Sequence, residues 1–152
     1  MVFYVKCIFI VVLILLSIYD LKYLILPNLF ILIGSALGII NFYYNNFDVQ
    51  LIWGVVFGFI VFLLLYLLFP KGIGFGDVKL AGAIGLFLGF KLTILAILLS
   101  FFSGAIVGLL LIALHKKSMK DPIPFGPFLA FGAIASLFFG EYIIDWYMNL
   151  LL

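Results

Sequence analysis

Long apolar runs separated by short polar segments make up most of the chain. A helix that crosses a membrane needs about 20 consecutive apolar residues. The pattern therefore predicts an all-α polytopic membrane protein, a bundle of six transmembrane helices. The predicted spans are 2–19, 23–44, 49–69, 78–90, 92–114 and 123–147. We expect residues 1–152 to form one membrane-embedded domain, because the loops are too short to hold a second one.

The fourth predicted helix is too short to cross the membrane by itself. Residues 78–90 give about 20 Å of helix at 1.5 Å per residue, against a hydrocarbon core about 30 Å thick. Lys91 separates this helix from the next span. Gly82, Gly85 and Gly89 recur at helical spacing, and small residues let membrane helices pack closely. We expect the fourth helix to be sheltered inside the bundle.

The composition agrees with a membrane protein and excludes several other classes. Of the 152 residues, 68% are hydrophobic and 9% are charged, whereas soluble domains have roughly 25% charged residues. The net charge is only +2, and the basic residues are scattered lysines, which argues against a nucleic-acid partner. The single cysteine, Cys7, excludes a disulfide within the chain and a cysteine-cluster zinc site. Membrane lipid is the partner that the composition predicts.

The lysines predict the orientation in the membrane. Six of them lie on one predicted face, and Lys6 and Lys91 lie on the other. Positively charged loops stay on the cytoplasmic side, so the first face is predicted to be cytoplasmic and both termini to be outside. The six are Lys22, Lys71, Lys79, Lys116, Lys117 and Lys120. Asp20 and Asp77 then lie on the cytoplasmic face.

These two aspartates are the candidate functional residues of the chain. Asp77 ends the glycine-rich turn 72–76, and Asp20 ends the first span. An ionisable residue at a membrane helix is a functional candidate because it is costly to place there. Two neighbouring carboxylates share one proton and titrate as a unit. This is the arrangement of aspartic proteases, where one carboxylate activates water and the other polarises the scissile carbonyl.

A structural role for each aspartate is the alternative. Asp77 could cap the N-terminus of the fourth helix, where an acid is favourable. Asp20 could be an interfacial acid beside Lys22. Capping of its own helix does not explain Asp20, because an acid at a helix C-terminus opposes the macrodipole.

Three segments of the chain resemble the motifs of a known family. Asp20-Leu21-Lys22 with the following Leu26-Pro27-Asn28 resembles the first, and 74–80, which holds Gly74-Phe75-Gly76-Asp77, resembles the second. Pro124-Phe125-Gly126-Pro127 resembles the last-helix motif. The family is that of the prepilin peptidases, also called type IV leader or preflagellin peptidases, which are GxGD-type intramembrane aspartyl proteases. The resemblance covers essentially the whole chain in the right order.

The resemblance implies an activity and roles for particular residues. Asp20 and Asp77 become the catalytic pair, with no cofactor and no metal. The implied reaction removes the short basic leader, a class III signal peptide, from pilin-like or archaeal flagellin-like precursors at the cytoplasmic membrane face. Gly74 and Gly76 could let the substrate backbone approach Asp77, and Pro27 and Asn28 could shape the turn after Asp20. Pro124, Gly126 and Pro127 are further supporting residues.

The chain departs from the larger bacterial members in one respect. Those members carry an extra cytoplasmic segment between the first two spans, often with paired CxxC motifs, which is linked to N-methylation of the product. Here a few residues separate Asp20 from the second span, and Cys7 is the sole cysteine. We therefore expect the short, peptidase-only type, without an N-methyltransferase segment or activity.

Other functions stay open at this point. A non-enzymatic membrane assembly factor, or an inactive relative that holds pilin-like helices, is the main alternative, and a polar-lined transporter comes after it. Lys79 follows Asp77 by two positions, so it is expected to point away from the site around the helix and to reach lipid headgroups. His115 is isolated from other ligands and is not expected to bind metal.

Overall fold

The computed structural model describes residues 2–70, 72–118 and 121–151, and these residues form six helices. Their bounds are α1 Val2–Tyr23, α2 Asn28–Tyr44, α3 Val49–Leu68, α4 Phe75–Leu88, α5 Phe90–Ala113 and α6 Gly126–Leu151. The predicted all-α architecture of six helices is confirmed. Lys71 and Lys120, which entered the orientation argument, lie outside the described residues.

The protein is a multi-pass membrane protein. Among the described residues, four helices, α1, α3, α5 and α6, are long and apolar enough to cross a membrane. α2 is a shorter apolar helix of 17 residues. α4 has only 14 residues, or roughly 21 Å of helix. The short fourth helix is therefore present as predicted.

The boundary between the first two helices differs from the prediction. α1 continues through Asp20 to Tyr23, and the N–H of Leu24 donates to the carbonyl of Asp20 at 2.8 Å. Leu24 has the left-handed φ of 54°, which ends the helix. α2 begins at Asn28 instead of residue 23, because Pro27 is its N-cap residue with an extended ψ of 128°. Asp20 thus lies inside the last turn of α1, and Pro27 precedes α2 instead of lying within the predicted span 23–44.

Other boundaries also move, and two of these shifts have a local cause. Gly89, not Lys91, divides α4 from α5, and its φ of 78° is a conformation that glycine adopts without strain. α6 begins at Gly126 instead of residue 123, since residue 123 precedes Pro124 and a residue before proline disfavours helical geometry. Pro127 then falls in the first turn of α6, where its missing N–H costs no hydrogen bond.

α4 is the centre of the bundle. It packs against α2, α3, α5 and α6, and ten of its 14 residues are buried. The Phe87 ring near its end stacks on the Phe9 ring of α1, with centroids 3.9 Å apart. The side-chain amide of Asn41 in α2 donates to the carbonyl of Phe87 at 2.9 Å. That bond satisfies one of the carbonyls that a helix end leaves unpaired, so the short helix can end inside the protein.

α3 and α4 approach each other through glycines. A Cβ added at Gly85 would overlap the backbone of Gly54, and one added at Gly54 would overlap that of Gly85. One turn away, a Cβ at Gly58 would lie 2.6 Å from the Ala81 carbonyl oxygen. Of the three glycines predicted to allow close packing, Gly85 does so. A Cβ at Gly82 would meet only ordinary contacts, at 3.7 Å from Phe59.

The polar groups lie at two ends of the bundle. Asp20, Asp77 and Lys79 line one cavity. Lys6, Asp48, Lys91 and Glu141 line two smaller cavities elsewhere, which share Asp48. These charged residues of the two predicted faces thus line different cavities. Which face is cytoplasmic stays a prediction.

Candidate active site

Both candidate aspartates line one cavity of about 370 Å³. Its walls come mainly from the connections between α1 and α2, between α3 and α4, and between α5 and α6. The three segments that resemble family motifs therefore meet at this cavity. Its lining includes Asp20, Leu26, Asn28, Gly74, Gly76, Asp77, Lys79, Pro124 and Phe125.

Asp77 lies in the first turn of α4 and is 6% exposed. Its Oδ2 accepts a hydrogen bond from the N–H of Gly74, the N-cap residue, at 3.0 Å. An acid at the third helical position that reaches back to the N-cap N–H is one half of a capping box. The capping interpretation of Asp77 is therefore correct for one of its two oxygens.

The second oxygen of Asp77 has a different environment. Among the described residues, Oδ1 is buried and accepts no hydrogen bond. A buried polar atom without a partner destabilises a protein. Capping thus accounts for Oδ2 and leaves Oδ1 unexplained.

Asp20 lies in the last turn of α1 and is 5% exposed. Its Oδ2 accepts a buried hydrogen bond of 2.9 Å from the N–H of Gly126, the first residue of α6. Asp20 is buried within the protein, which disfavours the alternative role of a solvated acid beside Lys22. Asp20 instead lies at the N-terminus of another helix, where the dipole and the free N–H groups favour a carboxylate.

Glycine at position 126 leaves room for this contact. A Cβ added there would lie 2.7 Å from Asp20 Oδ2 and 3.0 Å from Leu26 Cδ2, so these side chains would have to shift. The sequence indicated Gly126 as a supporting residue without a role. Its role in the structure is to supply a backbone N–H to Asp20 from a position that has no side chain.

The two carboxylates are alike in how they are held. Each uses Oδ2 to accept one backbone N–H at a helix N-terminus. They line the same cavity. Two buried carboxylates at one cavity can divide the roles of general acid and general base between them.

The remaining predicted residues divide between the cavity and its surroundings. Asn28 lines the cavity and accepts a hydrogen bond from Lys79 Nζ at 2.9 Å. Lys79 also lies over the Phe75 ring, 5.2 Å from its centroid. Lys79 therefore lines the cavity, contrary to the expectation that it points away from the site. Pro27 sets the start of α2 and Pro127 that of α6, and neither is among the residues that line the cavity.

Sequence reasoning missed Leu26 as part of the site. A Cβ added at Gly76 would lie 3.0 Å from Leu26 Cβ, so the space in front of Gly76 is occupied by this chain. Gly76 also lines the cavity, so only the direction that a side chain at Gly76 would take is filled by Leu26. Leu26 stands in the first motif, but nothing in the sequence indicates which glycines it meets.

The cavity offers few ligands for a metal ion. Across 2–70, 72–118 and 121–151, no group of three or more His, Cys, Asp or Glu side chains could hold one.

Comparison with known proteins identifies the family. The model of the type IV leader peptidase family matches residues 7–109, which include both cavity aspartates. The class defined by fold and site is thus a multi-pass membrane protein with two buried acids at one cavity. The chain belongs to the type IV leader peptidase family.

Individual named proteins are also similar to this chain. The chain is 32% identical over 143 residues to the prepilin leader peptidase/N-methyltransferase of Stutzerimonas stutzeri, covering 88% of this chain and 48% of that protein. It is 38% identical over 104 residues to the protein of the same name from Aeromonas salmonicida strain A449, covering 65% of this chain and 36% of that protein. The chain thus spans about half the length of these relatives or less. No solved structure matches it.

Proposed function

We propose that this protein is an intramembrane aspartyl endopeptidase that removes the short basic leader from type IV pilin-like or archaeal flagellin-like precursors. Asp20 and Asp77 are its catalytic residues. The observation that carries the proposal is the pair of buried carboxylates at one cavity in a member of the type IV leader peptidase family. The relatives are prepilin leader peptidase/N-methyltransferases by name, which supports the substrate class.

The proposed chemistry uses one ionised and one protonated carboxylate. The ionised aspartate takes a proton from water, and the resulting hydroxide attacks the scissile carbonyl carbon while the protonated aspartate donates to the carbonyl oxygen. The tetrahedral intermediate then breaks its C–N bond, and a proton passes to the leaving amine. The leader leaves with a new carboxylate and the mature protein with a new amino terminus.

The hydrogen bonds around the aspartates support these roles. Both Oδ2 atoms are fixed by backbone N–H groups, which hold the carboxylates in place without using a second ionisable side chain. Asp77 Oδ1, which is buried and has no partner among the described residues, is the oxygen we assign to the water or to the substrate carbonyl once substrate binding opens access to it. Groups held in place before the reaction need little reorganisation during it.

A second cavity accommodates the apolar part of the substrate in this proposal. It has a volume of about 450 Å³, lies between α2, α3 and α4, and shares Asn28 and Lys79 with the first cavity. Apart from these two residues and Ser35, its lining is apolar. A precursor with its cut site at the aspartates could therefore place the first apolar side chains after the cut in this cavity.

The orientation and the absence of methylation belong to the same proposal. The lysines near the aspartate end support a cytoplasmic active site with both termini outside. The short connection between α1 and α2 and the single cysteine support a peptidase without N-methyltransferase activity. Mass spectrometry of the mature product, made in the presence of a methyl donor, tests this point; a methylated amino terminus would contradict it.

A processing assay tests the peptidase. The purified protein in liposomes receives a pilin-type precursor encoded by the same organism, beside the Asp20→Asn and Asp77→Asn variants. We expect a shorter product, cut just before the apolar helix, from the normal protein only. If either variant processes the precursor at a near-normal rate, the two-aspartate mechanism is wrong. If a folded protein binds precursors without cutting them, it is the assembly factor of the alternative hypothesis.

A further inference from the structure

Leu26 occupies a fixed position in the wall of the cavity. It lies in the non-helical connection between α1 and α2, lines the cavity and is 8% exposed. Leu24 on one side has a φ of 54°, and Pro27 on the other is the N-cap residue of α2. The left-handed residue and the proline ring restrict the backbone at both ends of this connection.

Two glycines beside the aspartates face this side chain. For a Cβ added at Gly76, the three nearest atoms all belong to Leu26, at 3.0, 3.3 and 3.5 Å. A Cβ added at Gly126 would lie 3.0 Å from Leu26 Cδ2 and 2.7 Å from Asp20 Oδ2. Leu26 is therefore packed alongside the Asp20 carboxylate and against the residue that precedes Asp77.

The consequence concerns the room left for a substrate. Glycines near a catalytic acid are expected to let another backbone approach, and here the direction that a side chain at Gly76 or Gly126 would take is occupied by Leu26. A substrate residue held at the two carboxylates would lie in the cavity that Leu26 helps to line. The size of the substrate side chain that fits beside the carboxylates then depends on Leu26.

We propose that Leu26 is a specificity-determining residue, which restricts at least one residue flanking the scissile bond to a small side chain. This inference rests on the proposed peptidase function. A close-packed wall discriminates by size, because one extra methylene in an apolar site changes the rate by about 10- to 200-fold. Shortening Leu26 should therefore admit a larger substrate residue.

The test measures a preference and not only a rate. Precursors carrying Gly, Ala, Val or Leu at each of the two positions flanking the cut are compared by kcat/KM. With Leu26→Ala, we expect the ratio of the Val precursor to the Gly precursor to rise by at least about 10-fold at one of these positions. Leu26→Val, a smaller change, should produce an intermediate rise and decides the question if Leu26→Ala does not fold.

Leu37→Ala is the matched control. Leu37 is also 8% exposed, lies in α2 and is not part of the cavity lining. The same atoms are removed from a similarly buried site, so any general loosening of the bundle should be similar. The control should keep the substrate preference of the normal protein.

The outcomes separate this inference from the proposed function. If the normal protein cleaves no precursor in the panel, the peptidase proposal fails and this inference fails with it. If the normal protein cleaves all precursors equally well, Leu26 does not restrict the site. If the normal protein prefers small residues and both Leu26 variants keep that preference, Leu26 is a packing residue only, and the peptidase proposal stands.

Discussion

Each aspartate accepts a hydrogen bond from a backbone N–H, but the two donors lie at very different distances along the chain. Asp77 accepts the N–H of Gly74, three positions earlier at the start of its own helix. Asp20 accepts the N–H of Gly126, 106 positions later at the start of another helix. The first contact forms whenever α4 forms, whereas the second exists only when α1 and α6 have docked.

This difference makes the two halves of the site unequally sensitive to packing. The position of Asp77 depends on a few consecutive residues. The position of Asp20 depends on α1, on the connection that carries Leu26 and on α6. Changes that disturb the packing of helices should therefore affect Asp20 before Asp77.

The largest expected effect is equal for both residues. Asp20→Asn and Asp77→Asn should each lower the cleavage rate by at least about 10²-fold, the scale of acid–base catalysis. The amide oxygen of asparagine can still accept the backbone N–H, so the fold should persist. Circular dichroism and gel filtration in detergent check the fold, and the precursor assay checks the rate. Substantial activity in only one variant would mean that a single acid carries the reaction.

The second largest effect on the cleavage rate is expected from a change beside Asp20. Gly126→Ala places a methyl group 2.7 Å from Asp20 Oδ2, so the carboxylate must move. A misplacement of about 1 Å at a reacting group can cost about 10²-fold in rate. Gly34→Ala in α2 is the control, because its added Cβ would meet only ordinary contacts, the nearest at 3.7 Å from Phe9. Normal cleavage by Gly126→Ala would show that Asp20 need not be held in this position.

The same contrast explains what the sequence could and could not predict. Hydropathy predicted six helices and a short fourth one, since length and polarity are local properties. The capping role of Asp77 was also accessible, because it depends on residues 74–77. The bond from Gly126 to Asp20 was not, since no local pattern reports a contact across 106 positions. The packing of Leu26 could not be predicted for the same reason, because the glycines that it contacts lie in two distant segments.

A smaller effect is expected at Gly76, on the Asp77 side. The Cβ of Gly76→Ala would crowd Leu26, whose Cβ would lie 3.0 Å and Cδ1 3.3 Å away, and overpacking of this kind costs about 1–3 kcal/mol. Adding Leu26→Ala should restore much of the lost activity and stability. The same second change should not restore Gly126→Ala, whose methyl group still meets Asp20.

This double-mutant comparison measures the coupling directly. Free energies of unfolding and kcat/KM are measured for Gly76→Ala, Leu26→Ala and the pair, and likewise for Gly126→Ala. Equal rescue of both glycine variants would contradict the difference between the two sides. If Leu26→Ala does not rescue Gly76→Ala, the result would instead support the role expected from the sequence, in which Gly76 lets the substrate backbone approach.

The smallest expected effect is a difference in the free energy of unfolding between the alanine variants of the two aspartates. Asp20→Ala leaves the buried N–H of Gly126 without an acceptor, which should lower the free energy of unfolding by about 1–3 kcal/mol. Asp77→Ala leaves the N–H of Gly74 without its acceptor, but Gly74 is exposed and water can reach this group. The change also removes the unpartnered Oδ1. Its free energy of unfolding should therefore change by less than about 1 kcal/mol, at the low end of cap removal. Unfolding in mixed detergent micelles measures both, with the asparagine variants as controls that keep an acceptor. If Asp77→Ala proves the more destabilising change, its local cap supports the bundle more than the contact between α1 and α6 does.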